Sequence, residues 1–224
     1  MQHQQLVEHI RSVLATIPPH VTVEAAAKTR TADEVQAAVD AGVRIIGYNY
    51  VQEAQQIKPQ VVGPVQWHLI GHLQKNKVNK AVELFDLIET IDSFELAAAL
   101  DRRCAAIGKR MPVLIEVNSG REPNKSGALP EEVVELARRT AELPNLEVRG
   151  LMTMGPLLED PEAMRPYFRL TREIFLQIKA LQIPHLQMEI LSMGMSDSYL
   201  VAIEEGATLV RLGTLLFGPR RLKV

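Results

Sequence analysis

Apolar positions along the chain recur at two spacings, one helical and one strand-like. Between Gln5 and Ile17, Leu6, Ile10, Val13 and Leu14 recur at helical intervals, and the run stops at Pro18-Pro19. Beyond it, short apolar and β-branched runs at 21–27, 44–48, 65–70, 84–91, 112–117, 146–152, 186–191 and 208–212 predict eight strands. Helical spacing predicts helices between them at 32–42, 50–58, 74–81, 93–108, 130–142, 161–181 and 197–206. Gly42, Gly108 and Gly206 fall where helices should end, and Pro112 and Pro144 break the approach to later strands. The run at 84–91 is the least distinct, because Glu83-Leu-Phe-Asp-Leu-Ile-Glu89 also fits a helix.

Eight strands alternating with helices, without a Gly/Ser linker or a low-complexity stretch, predict a single (β/α)8 TIM barrel. It would span residues 1–224 as one domain with an extra N-terminal helix. A doubly wound open sheet is the alternative. It should carry a Gly-rich phosphate loop after the first strand, and Ala27-Lys28-Thr29 is not one. Composition narrows the class: 46% apolar and 23% charged residues are ordinary for a globular protein with a full core. A net charge of −2 gives no electrostatic footprint for nucleic acid or an anionic membrane. Cys104 is the only cysteine, so no disulfide forms within the chain and a reducing compartment is expected. Met1-Gln-His-Gln-Gln does not read as a leader, and no run approaches a membrane span, so a cytoplasmic protein is expected.

In such a barrel, chemistry gathers at the C-terminal ends of the strands. Strand one ends in Lys28, just before the helix-start signature Thr31-Ala-Asp-Glu34. Small residues around Lys28 leave room for a flat ligand, and a poorly hydrated lysine can attack an aldehyde; a strand-end lysine facing water is the ordinary alternative. The remaining strand ends offer Tyr48-Asn49, His68-Leu-Ile-Gly-His72, Asn118-Ser119, Met152-Thr-Met-Gly155, Ser192-Met-Gly-Met-Ser196 and Arg211-Leu-Gly-Thr214. Polar groups are thus expected at one rim, above apolar strands. Ser192-Met-Gly-Met-Ser196-Asp197 before a helix, with Gly213-Thr214 after strand eight, suggests a phosphate cradle of backbone amides and hydroxyls. Alternatively Ser196 or Asp197 merely caps the helix. His68 and His72 have no evident third ligand, so they read as rim or capping contacts and no metal is expected. Asn124-Lys125-Ser-Gly127 reads as a flexible solvated turn, and Arg138-Arg139 and Arg220-Arg221 as solvated surface charge.

Taken in order, several motifs resemble one family: Lys28, Tyr48-Asn-Tyr-Val-Gln-Glu53, Trp67-His-Leu-Ile-Gly-His72-Leu-Gln-Lys-Asn-Lys77, Lys125-Ser-Gly127, Gly150-Leu-Met-Thr-Met-Gly155, Ser192-Met-Gly-Met-Ser196 and Val210-Arg-Leu-Gly-Thr214. From about Val21 to Arg220 the chain resembles the pyridoxal-phosphate homeostasis proteins, relatives of the N-terminal barrel of alanine racemase. The resemblance implies that Lys28 holds pyridoxal 5′-phosphate (PLP) as a Schiff base. It implies that Ser196, Gly213 and Thr214, with the backbone of Met195, hold the phosphate, and that Arg211 faces the pyridine nitrogen. Asn49 matches the asparagine of the family's second-strand motif. Two positions depart: Tyr48 stands where the family usually has glutamate, placing a phenol near the cofactor, and Ala26-Ala27 replaces valine-serine.

A PLP racemase needs an acid/base group on the face opposite its lysine, which related racemases take from a second domain and a partner subunit. The chain ends at Val224, about a dozen residues past strand eight, so that group is not expected. An open mouth that admits water favours transfer or exchange of the cofactor over protected chemistry. The expected function is therefore PLP binding for homeostasis without robust catalysis, as a monomer, exchanging with apo PLP-enzymes or amino acids. Two alternatives stay open: a small amino-acid racemase using Tyr48 or another rim group as its base, and a Schiff-base lyase or aldolase acting through Lys28 on a phosphorylated substrate.

Overall fold

A computed structural model describes residues 2–219. Eight parallel strands close into a barrel in sequence order: β1 (Thr22–Ala26), β2 (Ile45–Tyr48), β3 (Gln66–Leu69), β4 (Leu87–Ile91), β5 (Met111–Glu116), β6 (Leu146–Met152), β7 (Leu186–Ser192) and β8 (Leu209–Leu212). β8 pairs with β1, Leu209 opposite Thr22 and Arg211 opposite Glu24, so no edge is left open. Around them lie α1 (His3–Leu14), α2 (Ala32–Ala41), α3 (Val51–Ile57), α4 (Val78–Leu84), α5 (Phe94–Ile107), α6 (Val133–Ala141), α7 (Arg165–Ala180), α8 (Tyr199–Glu204) and α9 (Thr214–Phe217). α1 buries Leu6, Val7 and Ile10 against α2 and α9.

The local signals explain the element ends. Thr31 caps α2: its Oγ1 accepts from the Glu34 amide at 3.3 Å, while the Glu34 carboxylate accepts from the Thr31 amide at 2.8 Å. Gly42 ends the same helix at φ 114, a left-handed conformation that costs glycine little. Other ends differ from expectation. The expected helix at 130–142 begins at Val133, because residues 129–132 form a turn closed by the Glu132 amide on the Leu129 carbonyl. The run at 161–181 divides into a 3₁₀ turn, Pro161–Met164, and α7, with prolines starting both. The ambiguous stretch Glu83–Glu89 is shared between the end of α4 and the start of β4. The helix expected at 197–206 shrinks to α8, and α9 was not expected. Arg220-Arg221 lies outside the described residues.

Most of the core lies between barrel and helices, including Cys104 on α5. Within the lumen, Leu87, Leu114 and Met152 form a small apolar layer with Met154 and Ile190. Buried polar side chains share the lumen with this layer, which corrects the expectation of apolar strands below a polar rim. Glu24, His68, Glu89, Ser192 and Arg211, from five strands, are all buried. Ser192 on β7 bonds Glu89 on β4, a contact possible only across the interior. Gly47 on β2 makes room for this layer. A Cβ there would collide with the Glu24 carboxyl and stand 2.9 Å from Ile70 Cδ1. Gly47→Ala is therefore expected to destabilise the barrel by about 1–3 kcal/mol in urea unfolding, as overpacked cores do. In a Glu24→Ala background the same change should cost clearly less; an equal cost would place Glu24 elsewhere.

Candidate functional site

All seven residues expected to hold the cofactor, Lys28, Asn49, Met195, Ser196, Arg211, Gly213 and Thr214, line one cavity of about 420 Å3 at the C-terminal mouth. Lys28 follows β1, and its amine lies 5.1 Å from the centre of the Tyr50 ring. The turn carrying it is strained: Thr29 sits at φ 66, rare for a β-branched residue. Two groups secure the turn. The Thr29 amide donates to the Glu53 carboxylate at 3.4 Å, and the buried Arg30 guanidinium donates to the carbonyls of Phe217 and Gly218 while facing the Phe217 ring. Arg30 thus fastens the lysine turn to the end of α9. Sequence reasoning missed Arg30, Tyr50 and Glu53 as supports, although the last two stand in a motif it noted.

The loops after β7 and β8 are joined by one hydroxyl. Ser196 Oγ accepts from the amides of Gly213 and Leu215, both at 3.1 Å. Ser196 therefore does not cap α8; Ser198 occupies the N-cap position, its hydroxyl accepting from the Met195 amide at 3.2 Å. With α8 only six residues long the helix dipole offers an anion little here, and the Met195, Gly213 and Leu215 amides are engaged by serine hydroxyls that an anion would have to replace. Gly213 and Ala26 keep the wall open, since a Cβ at Gly213 would meet the Ala26 carbonyl at 3.4 Å. An amine, a guanidinium and two amide-bearing loops around a cavity fit the aldehyde, ring nitrogen and phosphate of PLP.

Arg211 reaches this cavity from the lumen, held from below. Its Nη1 donates to Ser192 Oγ at 2.5 Å and its Nη2 to the Thr153 carbonyl at 2.8 Å. Ser192 Oγ in turn donates to Glu89 Oε2 at 2.6 Å, and the other Glu89 oxygen meets His68 Nδ1 at 2.9 Å. Glu24 lies 3.7 Å from the same nitrogen. Two carboxyls in one dry layer cannot both ionise cheaply. Burial first, then repulsion by Glu89, pushes Glu24 well above the usual carboxylate range despite Arg211. For Glu89, burial acts upward but is outweighed by the hydrogen bond and charge of His68 and by Arg211 and Ser192, so it is held below that range. Glu24 thus carries the proton and Glu89 the charge. His68 belongs to this interior layer and not to the rim, a correction. Its ligating atoms and those of Glu24 and Glu89 lie within 4.8 Å of one another, a grouping the His68–His72 spacing did not reveal.

Tyr48 also differs from expectation. It alternates with Gly47 on β2 and so faces the helices, stacked on Trp67 at 5.9 Å and 0% exposed. Burial, then Glu53 and Glu34, raise its phenol far above the ordinary value. It is neither beside the cofactor cavity nor available as a base. His72 is a rim residue, 3.3 Å from Asp92. The segment 124–127 is not the free turn expected: Lys125 meets Glu122 at 2.7 Å and the Gly155 carbonyl at 3.2 Å, and Asn118 donates to the Glu122 carbonyl. Arg139 lies over the Phe94 ring rather than simply in water.

Glu116, at the end of β5, was also missed. Burial, then Asp92 and Glu89 acting against Arg211, push its carboxyl up to about 7. Because the folded protein favours the protonated acid, this stabilisation is complete below the ordinary 4.5 and is lost as pH rises toward 7. Glu116→Gln removes the titration. The stability of the variant relative to wild type should therefore rise by up to about 3 kcal/mol between pH 5 and pH 8 in urea unfolding. A pH-independent difference would mean that Glu116 is not enclosed as described.

Comparison with known proteins bears on the family and the fold. Residues 2–221 match the family described as alanine racemase, N-terminal domain. The chain is 42% identical over 200 residues to the pyridoxal phosphate homeostasis protein of Aquifex aeolicus strain VF5, covering 88% of this chain and 86% of that one. The structure of PipY from Synechococcus elongatus PCC7942 with PLP bound superposes with a TM-score of 0.88 at 35% identity, over 96% of this chain and 100% of that one. Alanine racemase of Corynebacterium glutamicum, at 17% identity and a TM-score of 0.80, covers 97% of this chain and 62% of its own, a likeness of fold. With an alanine racemase N-terminal-type barrel confirmed and relatives matched along most of their length, the chain belongs to the family of pyridoxal phosphate homeostasis proteins.

Proposed function

We propose that this protein binds PLP and serves its homeostasis in the cytoplasm, carrying the cofactor on Lys28 without robust catalysis of its own. The observation that carries this reading is the convergence of Lys28, Arg211 and the two amide-bearing loops on one cavity. Lys28 supplies the nitrogen for covalent attachment. Ser196 and Thr214 hold the phosphate, with the Met195 and Gly213 amides turning to it from the Ser198 and Ser196 hydroxyls they now meet, and Asn49 lines the cavity wall. Bound PLP supplies an electron sink, strongest when its ring nitrogen is protonated. Arg211 has donors and no acceptor, so it favours an unprotonated nitrogen and a weaker sink. Its place is reinforced by Ser192 and Thr153, which consume two of its donors. Tyr48 offers no second base, since it faces the helix layer, which removes one support for a racemase. Apo PLP-enzymes or free amino acids are the recipients this reading implies. The described residues include no helix long and apolar enough to cross a membrane.

Purified protein loaded with PLP should absorb in the visible, and borohydride followed by peptide mapping should find the reduced adduct on Lys28. Lys28→Ala should lose the adduct while retaining some noncovalent PLP; an adduct on Lys75, Lys77 or Lys125 in wild type would overturn the assignment. A colourless protein would favour a lyase or aldolase, and turnover in a chiral assay across amino acids a racemase. Ser196→Ala and Thr214→Ala should each loosen PLP about tenfold or more, the cost of a hydrogen bond to a charged group. Equilibrium dialysis checks this, and unchanged retention in the double variant would move the phosphate site.

A further inference from the structure

The cofactor cavity opens into a second one. Asn49, Ile70, Met154, Leu157 and Met195 line both, and the second cavity, about 370 Å3, extends across the mouth toward His72 and Lys125. Glu116 lines it and is 6% exposed. Its Oε2 is buried with no hydrogen-bond partner among the described residues. Buried carboxyls are ordinarily satisfied, and this one borders a cavity instead.

The surrounding charges define what the cavity can accept. Asp92 and Glu89, from the β4 side, repel the ionised form of Glu116. Arg211, from β8, favours it but is engaged by Ser192 and Thr153. Lys125, the lysine on the cavity wall, is engaged by Glu122, and the His72 ring lies against Asp92. Among the described residues no cation pairs with Glu116 in this negative setting, and a cationic donor entering the cavity would offset its charge. A primary ammonium group meets this need: it is compact, carries a full charge and has three donors to offer Glu116. Ile70, Met154 and Leu157 give its aliphatic portion an apolar wall. A primary amine is also the class of molecule that competes with a lysine nitrogen for an aldehyde.

We propose that this second cavity is a binding site for a primary ammonium ligand, with Glu116 as its counter-charge. The site rests on the PLP-binding reading above, because the adjoining Lys28 pocket is what gives a bound amine its use. Burial and its acidic neighbours disfavour the ionised Glu116, and an arriving ammonium would offset that by favouring the charged form. A free amino acid and the lysine side chain of an acceptor protein present the same group.

The test is an NMR titration of the full-length chain prepared without PLP, following the Glu116 side-chain carboxyl after carbon-13 labelling of glutamate. L-alanine and Nα-acetyl-lysine amide serve as probes in separate arms. Either probe should lower the Glu116 midpoint by about one unit, since a nearby cation favours the ionised form. Binding should weaken about tenfold in Glu116→Gln, the cost of losing a charged hydrogen bond. A response to alanine alone assigns the site to free amino acids, and a response to the lysine amide alone assigns it to protein side chains; both support the proposal. A midpoint that neither probe moves overturns it, as does unchanged affinity in the variant. The midpoint is read in wild type, so the test stands even if the variant folds poorly. Absence of PLP keeps the result separate from the Lys28 adduct, and either reading can fail alone.

Discussion

A guanidinium enclosed in a barrel lumen must be matched in charge and in hydrogen bonds, or the fold is penalised by several kcal/mol. Arg211 is 2% exposed, and the residues beneath it answer that constraint in sequence. Ser192 accepts from Arg211 and donates its own hydrogen bond to Glu89, so the hydroxyl has one orientation. Glu89 lies 4.0 Å from the guanidinium and supplies the opposite charge. His68 occupies the other Glu89 oxygen, and Glu24 takes up a proton rather than a second charge. Gly47 gives this layer its space by having no side chain. The layer fixes the direction of Arg211 before any ligand arrives, which is preorganisation in its plainest form.

The rim is built on that base by short, cross-tied segments. β1 pairs with β8, so the lysine turn and the β8 loop leave the barrel side by side. Arg30 bonds the first to the end of α9, and Ser196 bonds the β7 loop to the start of the second. The strain at Thr29 is sustained by Arg30 and Glu53 on either side, which holds the amine toward the cavity at a place where relaxation would let it swing into water. The opposite half of the mouth is organised differently. There Asn118, Glu122 and Lys125 tie down the 121–127 loop and leave Glu116 beneath it as the unmatched group.

The alternation of strands and helices was legible because each barrel strand is an apolar run between turn signals, and closed parallel topology puts strand ends at one rim. The seven positions proposed to hold the cofactor were grouped from those ends and from the family motifs, and they line one cavity. Elements shorter than about two turns, such as α9, carry too little periodicity to be seen. The lumen was not legible for a related reason. One glutamate in Thr-Val-Glu-Ala-Ala or Leu-Ile-Glu-Thr-Ile does not announce which face it occupies, and adjacent residues of a strand point to opposite faces. Tyr48 shows the same limit: it directly precedes Asn49, yet Asn49 lines the cavity and Tyr48 faces the helices. Positions in a motif were correctly grouped by sequence, while their sidedness required the closed barrel.

The central claim is that the buried Glu89–Ser192–Arg211 chain presents a hydrogen-bond donor to the ring nitrogen of PLP. The most direct measurement is the nitrogen-15 chemical shift of isotopically labelled PLP bound to the protein, recorded across neutral pH. The account predicts the shift of an unprotonated pyridine nitrogen, moving toward the protonated value in Arg211→Glu. A protonated nitrogen in the wild-type protein, or a shift indifferent to that substitution, would contradict it.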